Sequence, residues 1–338
     1  MTSTDFGKHL ATFLTQYLPG QRGVGENTIR SYRDVFVLLL RYCRDERGWP
    51  PEKLCLKKLN DAVIMEFLEY LQEKRGSSIR TRNHRLAALH SFFRYLQTEV
   101  PECLLQCQRI LAIPSHRYPR RAIRYLLPDD LAFILAQPDR ETSLGRRDVV
   151  LLSLLYDSGA RAQEIIDLRP HDIRTESPAH VRLTGKGRKE RLVPLMPKTV
   201  KLVSVYLGEQ DLSAKQGQDR PLFTNRRGEK LSRSGVRYIV TKYVKRARGI
   251  RPDLPGSISP HTFRHTKAMH LLECQNPLVI IRDFLGHQDI RATEVYARAS
   301  LEMKRDALEK AEKVSPNPAP PASPWRPSKE LLDWLRAL

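Results

Sequence analysis

Cysteine is scarce in this chain of 338 residues, and it is unpaired: Cys43, Cys55, Cys103, Cys107 and Cys274 make an odd five with no repeating spacing. That excludes a secreted fold stapled by disulfides and points to a reducing, cytoplasmic setting. Cys103 and Cys107 stand four apart, but no second Cys/His pair follows at metal-clip distance, so they read as the apolar face of a helix. Long hydrophobic runs are missing as well. The longest, Val35 to Leu40 and Val149 to Tyr156, fall far short of the roughly 20 residues of a bilayer span. The opening MTSTDFGKHLATF lacks the basic-then-apolar pattern of a secretory leader, so no membrane partner is expected. No internal repeat is evident.

Acidic residues are the other deficit. Lys and Arg number 58 against 38 Asp and Glu, a net charge of +20, which favours a polyanionic partner, with nucleic acid first. No carboxylate cluster stands ready to hold Mg²⁺. The 41% hydrophobic content argues against wholesale disorder, and the length predicts two domains.

Residues 1–113 read as an all-helical bundle. Ile29, Tyr32, Val35, Leu38, Leu39 and Tyr42 recur at helical steps between Thr28 and Cys43. Leu59 to Leu71 forms another helix with Asn60 or Asp61 as cap. Ser78 to Leu96 forms a third, with Arg80, Arg82 and Arg85 on a basic face suited to a phosphate backbone. Residues 1–118 carry 18 basic and 12 acidic residues, or +6. From 114 to 128 the pattern breaks around Pro114, Pro119 and Pro128 with Arg120 and Arg121 among them, a basic linker of the kind that crosses a groove of bound DNA.

Residues 129–313 form a second, mixed domain; counted from 119 this part carries 37 basic and 24 acidic residues, or +13. Helices are expected at Asp129–Ala136, Gly145–Ser158, Ser234–Ala247, Phe263–Leu272, Pro277–Leu285 and Leu301–Lys313. HVRLTGKGRKERLVPL, from His180 to Leu195, reads as a β-hairpin with a basic tip. The fold class is therefore mainly α with a small β-hairpin or sheet in the second domain. Beyond Lys313, residues 314–338 are a Pro-rich tether ending in SKELLDWLRAL, a short amphipathic helix that needs a surface to dock on.

The candidate chemistry is dispersed through this second domain. Arg161 follows Gly159 in YDSGARAQEIIDL, with Glu164 three residues on. Lys186 stands at the hairpin tip between Gly185 and Gly187, with Arg188, Lys189 and Arg191 close behind, which suits insertion toward an anionic groove; Gly187 occupies the place where a phosphate-binding P-loop needs Ser or Thr. SPHTFRHTKAMH supplies His261, Arg264 and His265. Thr262 stands where a zinc protease needs Glu, and Arg264 would repel a cation, so the pattern suits an oxyanion. His287 follows the Leu-Gly at the end of a helix, and Tyr296 lies nine residues later. Two arginines, a lysine, two histidines and a tyrosine supply the parts of a metal-free phosphoryl transfer, with no cofactor.

In order and spacing, Arg161, Lys186, His261-x-x-Arg264, Leu285-Gly286-His287 and Tyr296 resemble the signature of the tyrosine recombinases, or phage integrase family, over roughly residues 10 to 312. The resemblance is to two-domain Xer-like or transposon-encoded members, since no extra N-terminal arm-binding domain is expected before the bundle. It implies a SAM-like helical core-binding domain and a catalytic domain closing as a C-shaped clamp on double-stranded DNA at a recombination site. It also implies a homo-oligomer, a dimer on each site and a tetramer in the synapse, with the C-terminal helix docking on a neighbouring subunit.

The same resemblance implies roles. Tyr296 attacks the scissile phosphate to give a 3′-phosphotyrosine; Arg161 and Arg264 hold the non-bridging oxygens; Lys186 protonates the leaving 5′-oxygen. His261 assists proton transfer at the tyrosine, His287 donates to the phosphate, and Glu164 orients its neighbours. His265 is taken as structural. Ala292 departs from the family, many members having Thr there. A type IB topoisomerase, a catalytically dead DNA-binding relative and a metal-dependent nuclease are the rival readings. The favoured one requires the Tyr296 hydroxyl to lie in a polar, cationic pocket.

Overall fold

The computed structural model describes residues 4–119, 123–185, 187, 189–209, 219–299, 305 and 333. The chain divides into two compact units, Met1–Arg121 and Ala122–Leu338, each with its own core.

The first unit is helical throughout its described residues: α1 (Asp5–Thr12), continuing as a π-helical stretch Phe13–Gln21, then α2 (Glu26–Arg47), α3 (Asp61–Glu73), α4 (Ile79–Glu99) and α5 (Leu104–Leu111). Side-chain caps set three of the starts, Thr4 accepting from the Gly7 amide at α1. Asn60 accepts from the Val63 amide and Ser78 from the Thr81 amide, each satisfying a donor that the first helical turn leaves over. Phe13 is the hub of the core, edge-on to Phe36 at 6.2 Å and Phe92 at 5.2 Å between ring centroids. Cys107 is buried in this core and Cys103 packs against it. The sequence reading begins its helices at Thr28, yet α1 and the π-helical stretch precede them. Their core residues Phe6, Phe13 and Leu18 are too unevenly spaced to show one helical stripe.

The second unit contains α6 (Pro128–Leu135), α7 (Ser143–Asp157), α8 (Ala162–Asp167), β1 (Ile173–Arg174), β2 (His180–Thr184), β3 (Glu190–Pro194), α9 (Pro197–Glu209), α10 (Arg233–Ile250), α11 (Pro260–Glu273), α12 (Leu278–Leu285) and α13 (Arg291–Ala299). From Asp148 to Leu155 every residue of α7 is buried, as suits a helix at the centre of its unit. The sheet is antiparallel in the order β1-β2-β3, with Val181 opposite Val193 and Thr184 opposite Glu190. Val181, Leu183 and Val193 turn into the core while Leu192 faces solvent, the period-two alternation of a half-buried hairpin. A separate small cluster gathers Met269, Leu272, Ile281, Leu285 and Tyr296 with Ile123 and Tyr125.

Part of the basic segment 114–128 is tied down. Arg82 Nη1 donates to the Pro114 carbonyl at 3.3 Å, and Asn83 bonds to both the amide and the carbonyl of His116. In the second unit, the Leu126 amide donates to Thr266 and its carbonyl bonds to His270. Arg305, inside the expected Leu301–Lys313 helix, and Asp333, inside SKELLDWLRAL, are helical; the rest of 314–338 lies outside the described residues. Among the described residues, no helix is long and apolar enough to cross a membrane.

Candidate active site

Three helix starts and ends carry the site. Ser259 and Thr262 form a capping box, with Pro260 in the first helical position, so α11 begins sharply and sets His261, Arg264 and His265 along one face. Arg161 is the N-cap residue of α8. Its amide and its Nη1 both donate to Glu164, each at 2.8 Å. Helix α12 ends at Gly286, whose φ of +64° is a left-handed conformation that glycine adopts without steric cost. His287 follows directly.

Arg264 is the most deeply placed cation, 1% exposed. Its Nη1 donates to the Gly159 carbonyl and its Nη2 to the Leu285 carbonyl, both at 2.7 Å. Both carbonyls belong to turns made by left-handed glycines, Gly159 with φ +56° and Gly286. A Cβ at Gly159 would stand 2.8 Å from Leu285 Cδ2, closer than carbon atoms tolerate. The glycines of SGAR and LGH thus build the cradle for Arg264. Burial, reinforced by Arg161, lowers the Arg264 guanidinium to about 10, where it stays charged at neutral pH.

Glu164 is buried between two cations. Arg191 on β3 donates to it through Nη1 at 3.1 Å and Nη2 at 2.7 Å and to the Phe284 carbonyl through Nε at 3.1 Å. Burial works to raise the Glu164 carboxyl, and the bonds from Arg191 and then Arg161 outweigh it, so the group lies below its ordinary value. Arg191 therefore links the hairpin, α8 and the end of α12.

Tyr296 is 2% exposed. Its ring packs among Met269, Leu272 and Leu285, but its hydroxyl is in polar company, 2.9 Å from His265 Nδ1. Burial raises the phenol's pKa while Arg264 and Arg161 pull it back. The His265 ring meets that of His261 at 4.3 Å. His287 stacks parallel to Tyr296 at 6.4 Å and bonds through Nδ1 to the buried Thr293 hydroxyl at 2.9 Å. Burial and the neighbouring cations depress all three imidazoles, His265 and His287 to about 4, so they are neutral at pH 7.

A cavity of about 800 Å³ opens beside these groups, lined by Arg161, Lys189, Arg191, Gly286 and His287 among others. The structure thus brings together Arg161, Glu164, His261, Arg264, His287 and Tyr296, with Lys189 at the rim. Lys186, Arg188, Arg120 and Arg121 lie outside the described residues. Arg80 is exposed and Arg85 half-buried; both line a groove of about 520 Å³ between α2 and α4 with Asn27, Arg30, Ser31 and His84. Arg82 departs from the expected basic face. It is buried and donates to the Pro114 carbonyl, because residues two apart on a helix lie about 160° apart around its axis, so Arg82 cannot share the outward face of Arg80.

Sequence reasoning counted Arg191 only among the cations behind the hairpin tip, turned toward an anionic groove, and set aside His265, whose neighbour in space is 31 residues away. Thr293, the partner of His287, carried no signal beyond adjacency to Ala292. Among the described residues no group of three or more His, Cys, Asp or Glu could hold a metal ion.

The phage integrase family matches residues 124–303, and the phage integrase N-terminal SAM-like domain matches residues 12–99. A Sinorhizobium fredii protein named integrase/recombinase y4rC is 38% identical over 330 residues, covering 97% of each chain. Tyrosine recombinase XerC of Pelotomaculum thermopropionicum is 31% identical over 308 residues, covering 90% of this chain and 97% of that one. In fold, the chain is similar to the XerH site-specific recombinase bound to its difH substrate, with a TM-score of 0.64 at 21% identity over 89% of this chain and 84% of that one. The chain belongs to the phage integrase family, the tyrosine recombinases.

Proposed function

We propose that this chain cleaves and rejoins double-stranded DNA at a recombination site through a covalent 3′-phosphotyrosine on Tyr296, without metal or ATP. The observation that carries the reading is the Tyr296 hydroxyl hydrogen-bonded to His265, near enough to Arg264 and Arg161 for both charges to favour the phenolate. Attack by the phenolic oxygen forms the O–P bond and expels the 5′-oxygen, which Lys186 protonates. Arg161 and Arg264 meet the charge that grows on the non-bridging oxygens; Arg264 is already oriented by two carbonyls, so little reorganisation is left for the reaction itself. His287 donates to the phosphate, His261 assists at the tyrosine, and Glu164 holds Arg161 in place.

Binding rests on the basic surfaces, with Arg80, Arg85, Arg120, Arg121, Arg188 and Lys189 contacting phosphates. In relatives and neighbours the names speak of recombinases, one bound to its DNA substrate; for this chain the working unit we infer is a dimer on each site and a tetramer at synapsis, with residues 314–338 docking on a neighbouring subunit.

The test uses a nicked duplex built on the sequence this chain selects from a random pool. A detergent-resistant protein–DNA adduct is expected, and Tyr296→Phe removes it while leaving DNA binding intact. An adduct that persists in Tyr296→Phe, or one that EDTA abolishes, would overturn the reading. Joining of two separate duplexes separates recombination from supercoil relaxation alone.

A further inference from the structure

We propose that His265 is a further catalytic residue, the group that takes the proton of Tyr296 as the phenolic oxygen attacks; this rests on the reading of Tyr296 as the nucleophile. The geometry is direct. His265 Nδ1 lies 2.9 Å from Tyr296 Oη, within the reach required of a general base. The two rings meet edge to face at 5.6 Å. His261, to which the family resemblance gives the proton, has no hydrogen bond to Tyr296 among those of the described residues; it stands in the first turn of α11, with its ring against His265.

The surroundings favour a neutral acceptor. On its own helix His265 faces His261 and Arg264, both of which oppose a positive charge there. From α13 it faces Tyr296, and α12 contributes the apolar Ile281 and Leu285 to the same cluster. Tyr156 on α7 bonds to His270, further along α11. With Nε2 carrying the imidazole hydrogen, Nδ1 presents its lone pair to the phenolic O–H. A phosphate held by Arg161 and Arg264 offsets the Arg264 charge, which together with burial and His261 holds His265 down, so its proton affinity rises as the phenol loses its proton.

The step balances. An oxygen lone pair of Tyr296 forms the bond to phosphorus, the phenolic proton passes to Nδ1 of His265, and the bond from phosphorus to the 5′-oxygen breaks with its electrons on that oxygen, protonated in turn by Lys186. Rejoining reverses each transfer, His265 returning the proton to the departing phenol.

The experiment follows single-turnover adduct formation on the same selected nicked duplex from pH 6 to 9 for the wild-type chain, His265→Phe and His265→Asn. Asn keeps an acceptor where Nδ1 stands but cannot take up a proton at neutral pH, so it separates positioning from base catalysis. Both variants are expected to bind the duplex normally and to react about 100-fold more slowly at pH 7, the lower end of what a general base contributes. Their rates should climb about tenfold per pH unit as phenolate becomes the reactant, while the wild-type rate stays nearly flat. Wild-type rate and pH profile in His265→Asn would overturn the proton-acceptor role, and the same result in His265→Phe would overturn any role. If the wild-type chain forms no adduct, the nucleophile reading falls first, which is a different failure.

Discussion

Arg191 Nη2 lies 2.7 Å from Glu164 Oε2, a buried ion pair joining β3 to α8. Glu164 also accepts from Arg161, so one carboxylate fixes a cation proposed to bind phosphate and a cation that ties the hairpin down. Its charge is what makes two guanidinium groups tolerable so close together.

Glu164→Gln should therefore cost about 3 kcal/mol of folding stability, the lower range for removing one partner of a buried pair, and slow adduct formation at least tenfold with DNA affinity little changed. The lowered carboxyl also sets a pH limb. The ionised form is favoured in the folded state, so its contribution is complete above the ordinary carboxyl value and fades as pH falls through the lowered one. Thermal unfolding of wild type against Glu164→Gln in acid should show that limb flattened in the variant.

The depressed histidines act in a higher window. His265 and His287, at about 4 when folded, take up protons more readily in the unfolded chain, whose histidines titrate near about 6.5. Protonation of the unfolded state then lowers stability as pH drops from about 6.5 toward 4, and the loss levels off below. Melting temperatures should follow that course, and His287→Asn should reduce its amplitude.

Two glycines with similar backbones should behave differently. A Cβ at Gly286 would stand 3.0 Å from Arg191 Cδ and Nη1, whereas one at Gly228, φ +76°, meets nothing within 4 Å. Each alanine pays the left-handed strain of about 1–2 kcal/mol. Gly286→Ala should in addition displace Arg191 and slow adduct formation at least tenfold, which Gly228→Ala should not do. Melting curves and single-turnover rates measure the two effects separately.

Arg80 and Arg82, two residues apart on α4, should also separate. Arg80→Ala removes an exposed groove cation and should lower the slope of log affinity against log salt by about one. Arg82→Ala removes a donor to the solvent-accessible Pro114 residue and should cost about 1 kcal/mol of stability, the net worth of one hydrogen bond, with the salt slope unchanged.

Much of this was legible in one dimension. Helices α2, α3 and α4 of the first unit follow from apolar residues at three- and four-residue steps, and of the two caps offered for α3, Asn60 and Asp61, Asn60 is the one that accepts. The hairpin follows from alternation around a Gly-Lys-Gly turn. SGAR, H-x-x-R and LGH identify the candidate site because each motif depends on a local backbone feature: a left-handed glycine, a capped helix start, a helix end.

What the sequence determined by itself, then, was the set of residue types, the local turns that aim them, and the excess of positive charge that seeks a polyanion. Only the tertiary structure decided which cations face a groove and which are buried, since Arg82 and Arg80 are equally basic on paper and differ by their position around a helix. It also decided the partners: Arg191 with Glu164, and His265 with Tyr296. Those pairs join residues far apart in the chain, and a contact of that kind is fixed by how helices and strands pack against a shared core, a relation that no local spacing encodes.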